Sequence, residues 1–155
     1  MTNTSIRLAT LADEAAVFGL LSVLMEGQPV TGVPITDCNS ARIIYRDLVM
    51  GVRGNALVFE ANGEVRGLIT LSYTPAIHCG GEYARVEELI IDDEARGGGG
   101  GRMLVEAAIE KACQRGYNEI RVYAREHARA FYEKTGFRYV GPELHFKTQR
   151  LTGWK

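Results

Sequence analysis

The chain is poor in the residues that mark several specialised classes of protein. Its three cysteines, Cys38, Cys79 and Cys113, are odd in number and widely spaced, which argues against a disulfide framework and a zinc site. No apolar run is long enough for a transmembrane helix and the first residues lack the pattern of a signal peptide, so we expect a cytoplasmic protein without membrane contact. The 18 basic and 19 acidic residues leave a net charge of −1, which gives no reason to expect nucleic-acid binding.

Composition and length predict one globular domain over residues 1–155, because hydrophobic residues make up 46% of the 155-residue chain. Thr10 is the predicted cap of a first helix, which carries Val17 and Phe18 at helical spacing and should end near Gly27. A loop over Gln28–Asp37 follows. A second helix should be capped by Asn39, and its expected apolar side consists of Ile43, Ile44, Leu48 and Val52.

The second part of the chain alternates strand and helix patterns. The Asn62-Gly63 turn between two apolar runs predicts a β-hairpin over Leu57–Tyr73. Helices are expected after Gly101 and around Tyr132. Further strands are expected at 6–9, 83–91, 120–123, 137–140 and 144–146.

Five consecutive glycines, Gly97–Gly101, lie between a predicted strand and a predicted helix. Glycine adopts positive φ and has no Cβ to keep a ligand away from the main chain. The first N–H groups of a helix have no helical acceptor, and the helix dipole favours an anion beside them. A flexible linker is the alternative, but so short a connection between two amphipathic elements favours an ordered turn. We therefore expect a phosphate-binding turn.

The spacing of these glycines excludes two common phosphate-binding motifs. A P-loop needs Lys and then Ser or Thr after its last glycine, whereas Gly101 is followed by Arg102 and Met103. The dinucleotide fingerprint needs glycines at i, i+2 and i+5, and no glycine of the run starts such a set.

A different pattern fits the same residues. Arg96, Gly99 and Gly101 satisfy Arg-x-x-Gly-x-Gly, and the preceding strand carries Val-x-x-Leu-x-Ile from Val86 to Ile91. Together they resemble the acetyl-CoA signature of the GNAT superfamily of N-acetyltransferases.

A second segment resembles the same superfamily. Residues 128–137 read Ala-Arg-Ala-Phe-Tyr-Glu-Lys-Thr-Gly-Phe and match the superfamily element A-x-x-F-Y-E-K-x-G-F almost letter for letter. The resemblance implies that Tyr132 points at the sulfur of coenzyme A. A phenol suits that place because it can donate a proton to a departing thiolate.

The resemblance also implies a fold and a cofactor site. The implied fold class is α/β (α+β), with a mixed, mostly antiparallel central sheet and helices on both faces. The strand before the glycine turn should splay from the strand after the next helix, so that the pantetheine arm of acetyl-CoA enters the gap. No metal is expected. The implied cofactor-binding residues are Leu89, Ile90, Ile91, Arg96, Gly97, Gly98, Gly99, Gly100, Gly101, Arg102 and Arg125.

Glu87 is the expected general base for the amine. Side chains alternate along a strand, so Glu87 should share a face with Leu89 and Ile91, while Glu88 takes the other. An ordinary surface ion pair of Glu87 with Arg85 is an equal possibility. The other candidate bases are Glu88, His127, His145 and a water chain.

Three positions depart from the superfamily pattern. Gly98 stands where relatives often have a basic residue, and Gly100 where an aliphatic side chain usually packs. Arg125 replaces a common Asn, and Arg125-x-x-Ala128 is similar to a variant found in aminoglycoside-type and other small-molecule acetyltransferases.

The sequence therefore predicts transfer of an acetyl group from acetyl-CoA to a primary amine, that of a small molecule, by direct attack. Two alternatives stay open: acetylation of a protein or peptide at Lys or the N-terminus, and a non-catalytic module that senses acetyl-CoA. The expected partner is the amine substrate, with neither nucleic acid nor membrane, and the resemblance adds the possibility of a homodimer.

Overall fold

The computed structural model describes residues 1–26 and 32–145. Its strands are β1 (Thr4–Leu8), β2 (Gly54–Ala61), β3 (Glu64–Ala76), β4 (Gly81–Ile91) and β5 (Ile120–Val122). Its helices are α1 (Glu14–Leu24), α2 (Asn39–Met50), α3 (Gly100–Gln114) and α4 (Glu126–Lys134). None of the helices in these ranges has the length and apolar character needed to cross a bilayer.

The strands form one sheet in the order β1-β2-β3-β4-β5. Neighbours from β1 to β4 are antiparallel, and β5 pairs with β4 in parallel. The predicted hairpin is confirmed: Asn62 and Gly63 both have positive φ, 52° and 80°, as the tight turn between β2 and β3 requires. A parallel pair needs a crossover, and α3 supplies it between β4 and β5. The expected mixed, mostly antiparallel sheet is thus confirmed.

Helices cover both faces of the sheet, as expected. On one face, which we call the α3 face, three fully buried residues of α3, Leu104, Val105 and Ala108, pack on the central strands. The fully buried strand residues on this face include Ile69, Leu71 and Ala84. On the opposite α1/α2 face, the buried set includes Val17, Phe18, Tyr45, Val58, Leu68 and Ile90. Strand alternation separates the two sets, since successive residues of β3 point to opposite faces.

Thr10 begins the first helical segment, as predicted, through a 3₁₀ turn over Leu11–Asp13. The Asp13 carboxylate accepts a hydrogen bond from the Thr10 N–H at 2.8 Å and forms an ion pair with Arg7 at 2.8 Å. These contacts hold the pKa of Asp13 at about 2. The helix α1 ends at Leu24, and the predicted end at Gly27 lies outside the described residues, as do residues 28–31 of the predicted loop.

The prediction for α2 is wrong in two respects. The residue before its first turn is Cys38 rather than Asn39, and Ile43, Ile44 and Val52 are 59–71% exposed. Tyr45 turns the other side of the helix inward. Its hydroxyl donates to the Thr10 carbonyl at 2.6 Å, and its ring packs edge-on against Phe18.

The two closing strands are not found in residues 137–145, where the described chain has no strand. Gly136 and Gly141, on either side of 137–140, have φ values of 102° and 144°, and Pro142 has no N–H to donate to a strand ladder. Glu143 instead forms an ion pair with Arg85 of β4 at 2.5 Å. Phe146, the last residue of the second predicted strand, lies outside the described residues.

Candidate functional site

The glycine run forms a turn that leaves the N-terminus of α3 open. Gly97 and Gly99 have φ values of 83° and 80°, a conformation that favours glycine. Gly99 immediately precedes α3, and no side chain of residues 1–26 or 32–145 caps it. The first helical bond runs from the Met103 N–H to the Gly99 carbonyl at 3.0 Å. The N–H groups of residues 100–102 therefore have no helical acceptor and can bind an anion.

Gly100 is buried, and a neighbouring ring occupies the space that a side chain would need. A Cβ built at Gly100 would lie 2.9 Å from a carbon of the Phe59 ring. The Phe59 ring of β2 thus occupies the space of the aliphatic side chain that the superfamily resemblance implies at this position.

Gly101 marks the point where three elements of the fold meet. A Cβ built there would lie 3.5 Å from the Phe131 ring of α4 and 3.7 Å from Ile91 at the end of β4. The glycine turn and the segment containing Tyr132 were identified separately in the sequence, and the fold places them side by side.

Two arginines flank the turn at the surface. Arg96 is 63% exposed and pairs with Asp93 at 3.0 Å, and Arg102 is 68% exposed and pairs with Glu106 at 2.7 Å. Exposed pairs of this kind contribute little to stability, so both guanidinium groups can exchange their partners for a phosphate. Arg125 lies at the start of α4, directly before its first residue.

One edge of β4 lacks a neighbouring strand over its last five residues. The pairing of β4 with β5 covers only Ala84–Val86, whereas β4 continues to Ile91. In the described part of the chain no other strand pairs with this edge. It comprises Glu87–Ile91 and includes Leu89, Ile90 and Ile91, which are among the implied cofactor-binding residues. The gap has the position that the resemblance predicted.

A β-bulge interrupts β4 and overturns the expected strand parity. Leu71 pairs with Val86 and Thr70 with Glu88, which leaves Glu87 without an opposite residue. Val86 and Leu89 both pack on the α3 face although they are three residues apart. The expectation that Glu87 shares a face with Leu89 and Ile91 is therefore wrong, because it assumed unbroken alternation.

The bulge brings the two glutamates to the same face of the sheet. The Ser72 hydroxyl donates to the Glu87 carboxylate at 2.6 Å, and the Thr70 hydroxyl donates to the Glu88 carboxylate. Thr70 and Ser72 are two residues apart on β3, so both point to the α1/α2 face. Both carboxylates consequently reach that face.

The two glutamates differ in their surroundings. The Glu87 side chain is 44% exposed, and its carboxylate lies 3.8 Å from the Arg85 guanidinium. Glu88 is half-buried, and burial together with the neighbouring Glu87 carboxylate raises its pKa to about 7. A carboxylate with such a pKa can accept a proton near neutral pH and is typical of a functional site.

Tyr132 is buried on the α3 face, where it is 8% exposed. Its ring packs against Phe131 and Phe137, with centroids 5.1 and 5.5 Å away. Burial raises its pKa to about 12, so the phenol is protonated at neutral pH. The side chain borders a cleft of about 1470 Å³ between β5, α4 and residues 135–143.

The remaining candidate bases, His127 and His145, have fewer of the features expected of a general base. His127 is exposed on α4, and His145 lies 3.4 Å from the Glu143 carboxylate. No cluster of three or more metal-ligating side chains occurs within residues 1–26 and 32–145.

Sequence reasoning missed Thr70 and Ser72, the two residues whose hydroxyls bond to the glutamates. The signal was present, because both are polar residues in the otherwise apolar run Leu68–Tyr73.

Comparison with known proteins agrees with this geometry. A family model described as "Acetyltransferase (GNAT) domain" matches residues 41–155. A search of curated proteins found no match.

Solved structures resemble the chain over nearly its whole length. A structure described as a transcriptional regulator from Bacillus halodurans is 26% identical, with a TM-score of 0.74, and covers 93% of this chain and 100% of its own. A putative acetyltransferase from Agrobacterium tumefaciens is 25% identical, with a TM-score of 0.74 and coverage of 94% and 99%. The structure of AAC(6')-Iy with the bisubstrate analogue CoA-S-monomethyl-acetylneamine shares the fold at 14% identity, with a TM-score of 0.77 and coverage of 96% and 99%.

Proposed function

The chain belongs to the GNAT acetyltransferase family, and on that premise we propose that it transfers the acetyl group of acetyl-CoA to the primary amine of a small molecule. The observation that carries the proposal is the meeting of three elements around Gly101: the open N-terminus of α3, the unpaired end of β4, and the helix α4 with Tyr132. This arrangement supports a phosphate site, a groove and a proton donor in one region of the molecule.

In this proposal, the main-chain N–H groups of Gly97–Gly101 bind the pyrophosphate of acetyl-CoA. The N-terminus of a helix suits a phosphate because its N–H groups and its dipole both favour negative charge. Arg96 and Arg102 add positive charge at the rim, and Arg125 lies at the entrance of α4. The pantetheine follows the open edge of β4 beside Leu89–Ile91, where main-chain groups can bind its amides.

Tyr132 acts as the general acid. The neutral amine nitrogen attacks the thioester carbonyl carbon and gives up one of its protons to water as the amide forms, the carbon–sulfur bond breaks, and the thiolate takes the phenolic proton. A pKa of about 12 keeps the proton on Tyr132 until the sulfur leaves. The Tyr132 phenolate then takes a proton from water, which restores the phenol.

Glu88 is a better candidate base than Glu87. With its pKa near 7, it is half-ionised at neutral pH and still basic enough to remove a proton from an ammonium substrate, directly or through water. Glu88 reaches the α1/α2 face and Tyr132 lies on the α3 face, so the two lie on opposite faces of the sheet. The amine would approach from one face, while the thiolate is protonated from the other.

The test is a panel of amines with acetyl-CoA, with release of free thiol as the readout. The panel should contain aminosugars, polyamines, free amino acids, and peptides with Lys or a free N-terminus. We expect amine-dependent thiol release with small amines, above the rate of hydrolysis without amine. Release with peptides alone would replace the small molecule by a protein substrate.

One observation favours a second function, which is sensing of acetyl-CoA without turnover. A similar structure with 26% identity is described as a transcriptional regulator. Acetyl-CoA binding by calorimetry, combined with no thiol release for any amine, would select this alternative.

A further inference from the structure

Thr70 holds Glu88 by two hydrogen bonds across the bulge. Thr70 lies on β3 directly opposite Glu88 and is 4% exposed. Its Oγ1 accepts a hydrogen bond from the Glu88 main-chain N–H at 3.1 Å and donates one to Glu88 Oε2. One hydroxyl supplies both bonds because it has a donor proton and free lone pairs. Both the main chain and the carboxylate of Glu88 are therefore fixed by one side chain.

We propose that Thr70 is a positioning residue for the general base: its hydroxyl fixes the Glu88 carboxylate at the bulge and stabilises the ionised form. The inference rests on the proposed function for its catalytic meaning. The link between the hydroxyl and the carboxylate can be tested without turnover.

The hydroxyl matters because burial opposes ionisation of Glu88. A donor that bonds to a carboxylate favours its charged form, so this bond counteracts the effect of burial and of Glu87. A valine would fill nearly the same volume but could not donate. In Thr70→Val we therefore expect the Glu88 carboxyl group to keep its proton up to a higher pH.

Several other ionisable groups border this face. On β4, Arg85 lies between Glu87 and Glu143. On the segments that pack over the face, Asp13 pairs with Arg7, and the Tyr45 hydroxyl donates to the Thr10 carbonyl. The buried Glu14 Oε1 lies 3.7 Å from Arg46 and makes no hydrogen bond within the described residues. The hydroxyl that reaches the Glu88 carboxylate belongs to Thr70.

The test compares Thr70→Val, which removes the hydroxyl, with Thr70→Ser, which keeps it. The Glu88 side-chain carboxyl is titrated by ¹³C NMR in the protein without substrate. We expect Thr70→Val to raise the Glu88 pKa by about one pH unit, the size expected for losing one hydrogen bond to a charged group. Thr70→Ser should restore the wild-type titration. Ser72→Ala is the matched control, because it removes the hydroxyl that donates a hydrogen bond to the neighbouring Glu87.

Activity supplies the second readout. With an amine that the wild-type protein acetylates, the acid limb of the kcat/KM profile should move to higher pH in Thr70→Val by the same amount, and Thr70→Ser should return it. A mere packing role would lower the rate without moving the profile. If Thr70→Val does not fold, Thr70→Ala removes the same hydroxyl.

The outcomes separate the two proposals. An unchanged Glu88 titration in folded Thr70→Val or Thr70→Ala would overturn the inference, and so would a shifted titration with an unmoved rate profile. Absence of thiol release from the wild-type protein with every amine would overturn the proposed function instead.

Discussion

Replacing Glu88 by Gln should make the protein more stable at alkaline pH while impairing turnover. Burial and the Glu87 carboxylate raise the pKa of Glu88 from 4.5 to about 7. The folded state therefore disfavours the ionised carboxylate that an unfolded chain carries freely in water. Glutamine has no charge to bury, and its amide oxygen can still accept the hydrogen bond from Thr70.

The pKa difference fixes both the size and the pH range of the effect. A rise of about 2.5 pH units corresponds to about 3 kcal/mol of folding free energy, at 1.36 kcal/mol per unit. Because the pKa is raised on folding, the favourable contribution is complete below about pH 4.5 and is lost as the pH rises through 7. The advantage of Glu88→Gln should thus be near zero at pH 4.5 and approach its maximum above pH 8.

Urea denaturation of the wild-type protein and Glu88→Gln at pH 4.5, 6.5 and 8.5 measures this directly. Glu87→Gln is the matched control on the same strand, and we expect it to change stability much less than Glu88→Gln does, because burial and not the Glu87 charge is the larger cause of the raised pKa. A difference between wild type and Glu88→Gln that does not grow with pH would refute the reasoning.

Four further substitutions test the site. Tyr132→Phe keeps the packing against Phe131 and Phe137 but lacks the phenolic proton, so thiol release should slow by roughly 10²–10⁴-fold with unchanged acetyl-CoA affinity; unchanged turnover across the pH range would assign the proton to another donor. Gly101→Val should fold and bind acetyl-CoA more weakly by calorimetry, because its methyl groups crowd the turn; full affinity would remove the phosphate site from that turn. Gly100→Ala should lower the unfolding free energy by about 1–3 kcal/mol through contact with Phe59, while Gly98→Ala, whose Cβ meets only the Ala95 carbonyl oxygen at 3.7 Å, should be tolerated; equal thermal unfolding of the two variants would contradict this.

The parts of the fold that local chemistry determines were predictable from the sequence. The Asn62-Gly63 hairpin, the strand-to-helix turn at Gly97–Gly101 and the cap at Thr10 each depend on a few adjacent residues. The orientation of α2 was not predictable in this way. Apolar spacing favoured Ile43 and Ile44 as the inner side, whereas the contacts of Tyr45 with Thr10 and Phe18 turn the helix away from that side, and these partners lie far away in the sequence.

The residues of the candidate site differ in the same way, since some are predictable from adjacent residues and others depend on distant parts of the chain. The proposed anion-binding turn and Tyr132 come from contiguous motifs, and their residues can be named without a structure. The choice between Glu87 and Glu88 depends on whether strand alternation continues, and a single bulge opposite Leu71 and Thr70 changes the answer. The sequence of β4 alone does not predict the bulge, because the extra residue of a bulge is recognised only from the register with β3.

The position of Glu88 suggests why a destabilising residue is tolerated in this sheet. A half-buried carboxylate beside a second carboxylate lowers stability at the pH where it ionises, and a neutral residue of similar shape would avoid that cost. The structure compensates only partly, through the hydroxyl of Thr70. A purely structural site would pair such a group with a cation, as Arg7 does for Asp13. At Glu88 the nearby Arg85 is instead shared between Glu87 and Glu143. The pKa of Glu88 therefore stays near neutrality, which is the property that a proton acceptor needs and a structural carboxylate does not.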